Sequence, residues 1–157
     1  MKNKFLLITL FLLGVLSAQA EEIAREWIDL ALPSGTLWAA EPEDGFYSYV
    51  DAVEIFGVNM PTRWQWEELC RSCVIKEIDS KTVEFRGKNG KSIRVPFRGN
   101  IFKNGKPRNV DYGYYWTYTN YDDNQAWYVI VDDVLSIDYL QYTYNESYKM
   151  SIILVSK

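Results

Sequence analysis

Few residues in this chain are of types that do chemistry, and their spacing decides what they could do. Cys70 and Cys73 stand three apart, the spacing of a redox thiol pair. A reactive thiolate wants the positive end of a helix beside it. These two fall at the far end of a helix expected over residues 62–73, where the dipole has the opposite sign. They also lie on its apolar face. Core packing is therefore the first reading of the pair, a local disulfide the second and redox catalysis the last. Glu67 and Glu68 are adjacent, and neighbours in a helix do not face each other. One is expected to hydrogen-bond within the fold and the other to be a solvated charge, rather than the two forming a catalytic acid pair. Asp122-Asp123-Asn124 and Asp132-Asp133 are rich in the oxygen ligands that calcium takes. Their spacing matches no calcium loop, so they read as turn residues.

The chain has no histidine. That removes Ser-His-Asp and Cys-His catalysis, histidine-bound zinc and the usual neutral-pH proton shuttle. Two cysteines are too few for a disulfide framework. No catalytic residue, metal or cofactor is expected. What remains is aromatic: residues 112–144 hold nine tyrosines and two tryptophans. Strand alternation can bury about half of them. The rest must lie near the surface, where rigid amphipathic rings suit sugars or protein partners. The ligand-binding surface is expected at Tyr121, Asp122, Asp123 and Asn124, with Tyr142 and Tyr144. Residues 119–125 should form a surface loop, the usual place for function on a rigid scaffold.

The elements that would hold these groups follow from local patterns. Residues 27–32 alternate as a strand, Pro33-Ser34-Gly35 turns, and 36–39 are extended again. Residues 46–56 suit a helix closed by a left-handed cap at Gly57. The strongest local signal is Pro61-Thr62-Arg63-Trp64-Gln65-Trp66. Thr62 and Gln65 form a capping box. The helix they start should bury Trp66, Leu69, Cys70 and Cys73 on one face. Residues 82–86 and 92–95 alternate around Asn89-Gly90, whose positive backbone angles suit a tight hairpin. Residues 99–110 read as a long loop, and 114–119, 125–132, 134–139 and 150–155 as strands. Early helices and later antiparallel strands make the class α+β.

Residues 1–20 have the three parts of a cleavable signal peptide: Lys2 and Lys4, an apolar run over 5–16, and Ala18-Gln19-Ala20. The run is shorter than the ~20 apolar residues that cross a bilayer. No cysteine precedes Cys70, so a lipoprotein anchor is not expected. The mature protein should be one soluble domain over residues 21–157, in the periplasm, on the cell surface or secreted, without membrane insertion. The net charge of −4 falls to −6 once Lys2 and Lys4 leave with no acid. Such a charge argues against nucleic acid or anionic lipid as a partner.

The chain also resembles a known family. Trp27-Ile28-Asp29-Leu30-Ala31-Leu32-Pro33-Ser34-Gly35-Thr36-Leu37-Trp38-Ala39 looks like the opening of the Fibrobacter succinogenes major paralogous domain, frequent in secreted proteins of Bacteroides and relatives. The likeness continues through Met60-Pro61-Thr62-Arg63 with Trp66-Glu67-Glu68-Leu69, then Asn89-Gly90-Lys91-Ser92-Ile93, Pro96 and Gly99. It ends with Gly113-Tyr114-Tyr115-Trp116-Thr117 and Ala126-Trp127-Tyr128, so it covers about residues 27–131. Pro61, Thr62, Gln65, Trp66 and Glu67 are its structural motif. The Met-Pro-Thr-Arg and Trp-Glu-Glu stretch is also similar to a motif of the formylglycine-generating-enzyme superfamily. The resemblance implies a C-type-lectin-like fold, two helices packed on a small twisted antiparallel sheet with long loops. It does not carry over that enzyme's activity, because its copper-binding cysteines lie later in the fold and this chain has no cysteine after Cys73. Two departures stand out: the family's closing Ser-Val-Arg-Pro-Val is absent, and the segment from Trp38 to Phe46 is short.

The expected role is a non-catalytic binding or adhesion module for a glycan or a surface protein. The alternatives are a polysaccharide-acting enzyme or accessory domain using paired aspartates, and a structural domain of a surface assembly. Export is tested first. Protein from the native host should begin at Glu21 by intact mass; a retained Met1 or a lipid adduct would contradict the signal-peptide reading.

Overall fold

A computed structural model describes residues 25–103, 105–123, 125–132, 137–138, 142–144 and 147–157, with the backbone alone at 137–138 and 142–144. The expected signal peptide, Asn124 and Asp133 lie outside these residues. The elements in chain order are β1 (Trp27–Asp29), β2 (Leu37–Ala39), β3 (Tyr47–Ser48), α1 (Tyr49–Phe56), a 3-10 turn (Gly57–Asn59) and α2 (Arg63–Ser72). There follow β4 (Val74–Asp79), β5 (Thr82–Arg86), β6 (Ser92–Pro96), β7 (Ile101–Phe102), β8 (Gly113–Asp122) and β9 (Gln125–Val131). The last are β10 (Ile137–Asp138), β11 (Tyr142–Tyr144), β12 (Tyr148–Met150) and β13 (Val155–Ser156). The class is α+β, with two short helices and small antiparallel sheets. These are β1-β2-β13, β4-β5-β6, β3-β12-β7, and β9 flanked by β8 on one edge and by β10 and β11 on the other. Among the described residues no helix is long and apolar enough to cross a membrane.

α2 starts where its sequence says it should. Thr62 Oγ1 accepts from the Gln65 amide at 3.2 Å, and Gln65 Oε1 accepts from the Thr62 amide at 2.8 Å. The helix start is also fixed to β8: Tyr118 donates its backbone N–H to the Pro61 carbonyl at 2.8 Å, and Arg63 donates to Thr119 Oγ1 at 3.1 Å. α1 begins later than residue 46 because Ser48 caps it, accepting from the Asp51 amide at 3.1 Å. Gly57 ends it at φ 48°, a backbone angle that glycine tolerates best.

Three expectations need correction. The hairpin at Asn89-Gly90 forms, but only Gly90 has a positive φ. Gly90 donates to the Gly87 carbonyl at 3.0 Å and Gly87 to the Lys91 carbonyl at 2.9 Å, closing a three-residue loop rather than a two-residue one. Asn89 instead uses its side chain, donating from Nδ2 to the Asp29 carbonyl at 2.8 Å. That contact docks the tip on β1, so closely that a Cβ at Gly87 would stand 2.1 Å from the Leu30 carbonyl oxygen. The loop expected over 99–110 contains β7, because Ile101 and Phe102 pair with Lys149 and Tyr148. The single strand expected over 150–155 is two strands in different sheets. Residues 150–155 are all buried. Met150 pairs with Tyr47, Ser151 bridges Tyr115, the Leu154 carbonyl accepts from Ala39 at 2.9 Å, and Val155 pairs with Trp38.

Replacing Thr62 by Ala should cost about 1 kcal/mol, the usual loss of a side-chain cap. Urea denaturation checks it through a lower midpoint at unchanged slope; an unmoved midpoint would contradict the role given to the cap.

Candidate functional site

The start of α2 forms one wall of a cavity of about 690 Å³. Thr62 and Gln65 come from that helix, Ser34 and Thr36 from the turn before β2, Asn59 from the 3-10 turn and Tyr118 from β8. Val58 and Val155 add apolar surface. The polar floor is fixed by its own hydrogen bonds. Glu68 accepts from the Ser34 amide at 2.8 Å and from its hydroxyl at 2.5 Å. The Ser34 and Thr36 hydroxyls are 2.7 Å apart, and Gln65 Nε2 donates to Thr36 Oγ1 at 3.4 Å. Tyr118 is 38% exposed and Val58 80% exposed, so the walls open to solvent. Lys157 is the one charged side chain in the lining; the hydroxyls, amides and phenol beside two valines suit a hydroxylated ligand.

Glu68 is thus the structural hydrogen-bonder of the acid pair. Glu67 is not a solvated charge: Arg63 Nε lies 3.0 Å and Arg71 Nη2 3.6 Å from its carboxylate. The two side chains serve different neighbours.

The residues first expected to bind ligand are divided. The segment 119–125 is not a loop. β8 runs on to Asp122 and β9 begins at Gln125, so Tyr121 and Asp122 are strand residues and Asp123 lies in the turn. The ladder survives two irregularities between Trp116 and Asp122. Thr117 fills the gap, its hydroxyl donating to the Trp127 carbonyl at 3.0 Å and accepting from the Thr119 amide at 3.2 Å. Tyr121, half exposed, packs edge-on against Trp127 at 5.4 Å. The Arg63 guanidinium lies 4.9 Å from the Trp127 ring. Asp123 lines a different, shallower groove of about 310 Å³ with Tyr49, Val53 and Asn120. Tyr121 does not line that groove, so ring and carboxylate do not act on one ligand face. There the Tyr49 hydroxyl donates to Asn120 Oδ1 at 2.6 Å, and burial pushes its pKa up to about 12. Tyr142 and Tyr144 pair through their backbones with Trp127 and Gln125, beside the same hairpin end. Their side chains, and Asn124, lie outside the described residues.

Ser34, Thr36, Asn59 and Tyr118 were missed as site residues. Only the capping box pointed to this place, and it pointed to a helix start rather than to a cavity. Buried Glu84 was also missed. Ser92 donates to it at 2.9 Å and Arg86 at 2.8 Å. The Ser92 bond does most to hold its pKa below the usual carboxylate range; burial opposes this and Arg86 adds to the lowering. Among the described residues no three cysteines or acids converge to hold a metal ion. Compared with known proteins, the chain matches no family model, no curated protein and no solved structure.

Both cysteines are free thiols packed against the core. Burial pushes Cys70 up to about 12 and Cys73 up to about 11. At neutral pH they should react with iodoacetamide far more slowly than a peptide thiol and reach ordinary rates once urea unfolds the chain. From the ordinary thiol pKa up to these values the folded state holds more protons than the unfolded one, so stability falls as pH rises. Rapid alkylation of the folded protein at pH 7.5 would contradict the half-buried, inert reading.

Proposed function

We propose that this protein is an exported, non-catalytic binding module whose ligand is a glycan, held in the cavity beside the start of α2. The observation that carries the reading is the cavity's chemistry. Lys157 apart, its polar groups are neutral, and several are fixed before any ligand arrives, which limits the ordering cost of binding. Tyr118 offers a ring face to a sugar's apolar side, while Asn59 and Ser156 offer an amide and a hydroxyl to its rim. The Trp127–Tyr121 ledge with Arg63 across it is a second aromatic surface that a longer chain could reach. Membership of the Fibrobacter succinogenes major paralogous domain family, and a C-type-lectin-like fold, are part of the same proposal. Supporting them are two helices, antiparallel strands, the Pro61-Thr62 helix start and the turn at Gly35. The four small sheets in place of one are a difference from that expectation.

A polysaccharide-cleaving site would need two acids across a cleft, one with a raised pKa. Among the described residues, the carboxylate that clearly departs from its ordinary range, Glu84, moves downward and is tied to Ser92 and Arg86.

The mature protein should bind a subset of neutral glycans on an array, equally with and without calcium. Tyr118→Ala combined with Asn59→Ala should weaken those signals about tenfold while the melting temperature holds, the loss of ~1.4 kcal/mol expected from one stacking ring and one hydrogen bond. Retained signals in that folded double variant would remove the cavity from the site. Loss on Tyr121→Ala with Asp123→Ala instead would move binding to the hairpin end.

A further inference from the structure

Arg98, Lys103, Lys106 and Arg108 fall within eleven residues that contain no acid, in a chain whose net charge is −4. Two of these cations lie over aromatic rings. The Arg108 guanidinium is 4.8 Å from the centroid of Phe102 and 5.6 Å from that of Tyr148. Lys103 Nζ is 5.4 Å from the Phe102 centroid. The two rings touch at 4.9 Å because β7 and β12 pair in register at these residues. Tyr114 lies near enough to feel both neighbours. Burial and Tyr112 raise its pKa, while Arg108 pulls it down and Tyr148 raises it further.

The backbone around Arg108 is fixed in place. Asn100 and Arg108 exchange both backbone hydrogen bonds at 2.9 Å. The buried Asn100 side chain accepts from Arg108 Nε at 3.4 Å and from Asn109 Nδ2 at 3.5 Å. At Gly99 a Cβ would stand 2.1 Å from the Arg108 carbonyl oxygen, so the two backbones meet as only glycine allows. Lys103 and Asn109, on either side of the loop, both hold φ at 53°, a left-handed angle that costs energy outside glycine. Among the described residues no carboxylate forms an ion pair with Lys103, Lys106 or Arg108.

The Arg108 guanidinium lies against the two rings with Nε turned to Asn100, which leaves its two terminal amino groups for a ligand. That geometry grips a carboxylate or sulfate with two parallel hydrogen bonds. The rings beside it give the apolar face of a sugar a platform, which an acidic peptide backbone does not use. We propose that Phe102, Tyr148, Arg108 and Lys103 form a second binding surface, for an acidic polysaccharide carrying uronate or sulfate groups. This surface shares no lining residue with the cavity beside α2 and does not depend on what that cavity binds.

Affinity electrophoresis of the mature protein tests it, with polygalacturonate as the uronate probe, heparin as the sulfate probe and dextran as the neutral one. At low ionic strength one or both acidic gels should retard the protein, dextran should not, and added salt should release it. Lys103→Asn, which keeps a residue that tolerates the left-handed angle, combined with Arg108→Gln should weaken binding about tenfold or more, the scale of one charge-assisted hydrogen bond. Lys91→Gln, which removes a charge at the far hairpin, should change it less than about twofold, as for an exposed charge outside the site. If the double variant melts early, phenylglyoxal footprinting of the unaltered protein decides: the acidic polysaccharide should shield Arg108 and not Arg71. The proposal is overturned if neither acidic gel retards the protein, or if Lys91→Gln weakens binding as much as the double variant. It is also overturned by equal labelling of Arg108 with and without polysaccharide, or by tighter binding to polyglutamate or anionic vesicles than to either polysaccharide.

Discussion

The indole of Trp66 lies 5.0 Å from Trp38 of β2, 6.5 Å from Phe85 of β5 and 5.7 Å from Tyr115 of β8, so one helix side chain touches three of the four sheets. Each sheet has only three or four strands and needs its hydrophobic face covered to be stable. Around this ring they share one core. The fourth sheet joins through the buried run from Met150 to Val155, which bridges β8 at Ser151 and reaches β2 at Val155. The arrangement has a cost. The Trp66 and Trp38 indole N–H groups find no acceptor among the described residues, about 1–3 kcal/mol each. Burying about 200 Å² of each side chain contributes roughly 5 kcal/mol, which exceeds that cost.

The same helix that carries Trp66 inward carries the cavity outward. One turn earlier, Thr62 closes the capping box with Gln65, and Gln65 Nε2 reaches Thr36. One residue later than Glu67, Glu68 ties down the turn at Ser34. Core contact, helix cap and cavity floor are therefore set by a single rotation of α2. A change at Trp66 would misplace the cavity without touching its lining. This coupling also explains why the motif from Pro61 to Glu68 is the most legible part of the chain.

Legibility followed range. The capping box needs only residues three apart, and it was readable. The turn at Gly35 and the hairpin around Gly90 were readable for the same reason, although the type of the second turn was not. It depends on Asn89 reaching Asp29, sixty residues away in sequence. β4 went unnoticed because Val74 to Asp79 is exposed along most of its length and so shows no alternation. Residues 119–125 looked like a loop by composition; Thr117 and the pairing with β9 keep Thr119 to Asp122 in the strand. The last segment mimics one buried strand because all its residues are covered, by different elements in turn. The cavity gathers residues from the turn at Ser34, the 3-10 turn, α2, β8 and β13, and no local pattern announces such a convergence. The tyrosine surplus was seen correctly as more than the core could hold. Outside residues 112–144, Phe102 on β7 and Tyr148 on β12 lie against Arg108, in a different sheet from the hairpin end where a ligand was expected.

A sugar bound in the cavity must make its first contacts beside the start of α2. Titrating the ¹⁵N-labelled mature protein with the strongest neutral oligosaccharide from an array, and following amide shifts residue by residue, reads this directly. Saturable shifts should concentrate at Ser34, Asn59, Gln65 and Tyr118, with the Gln65 side-chain amide among them. Shifts confined to other surfaces, or none at millimolar oligosaccharide, would contradict it.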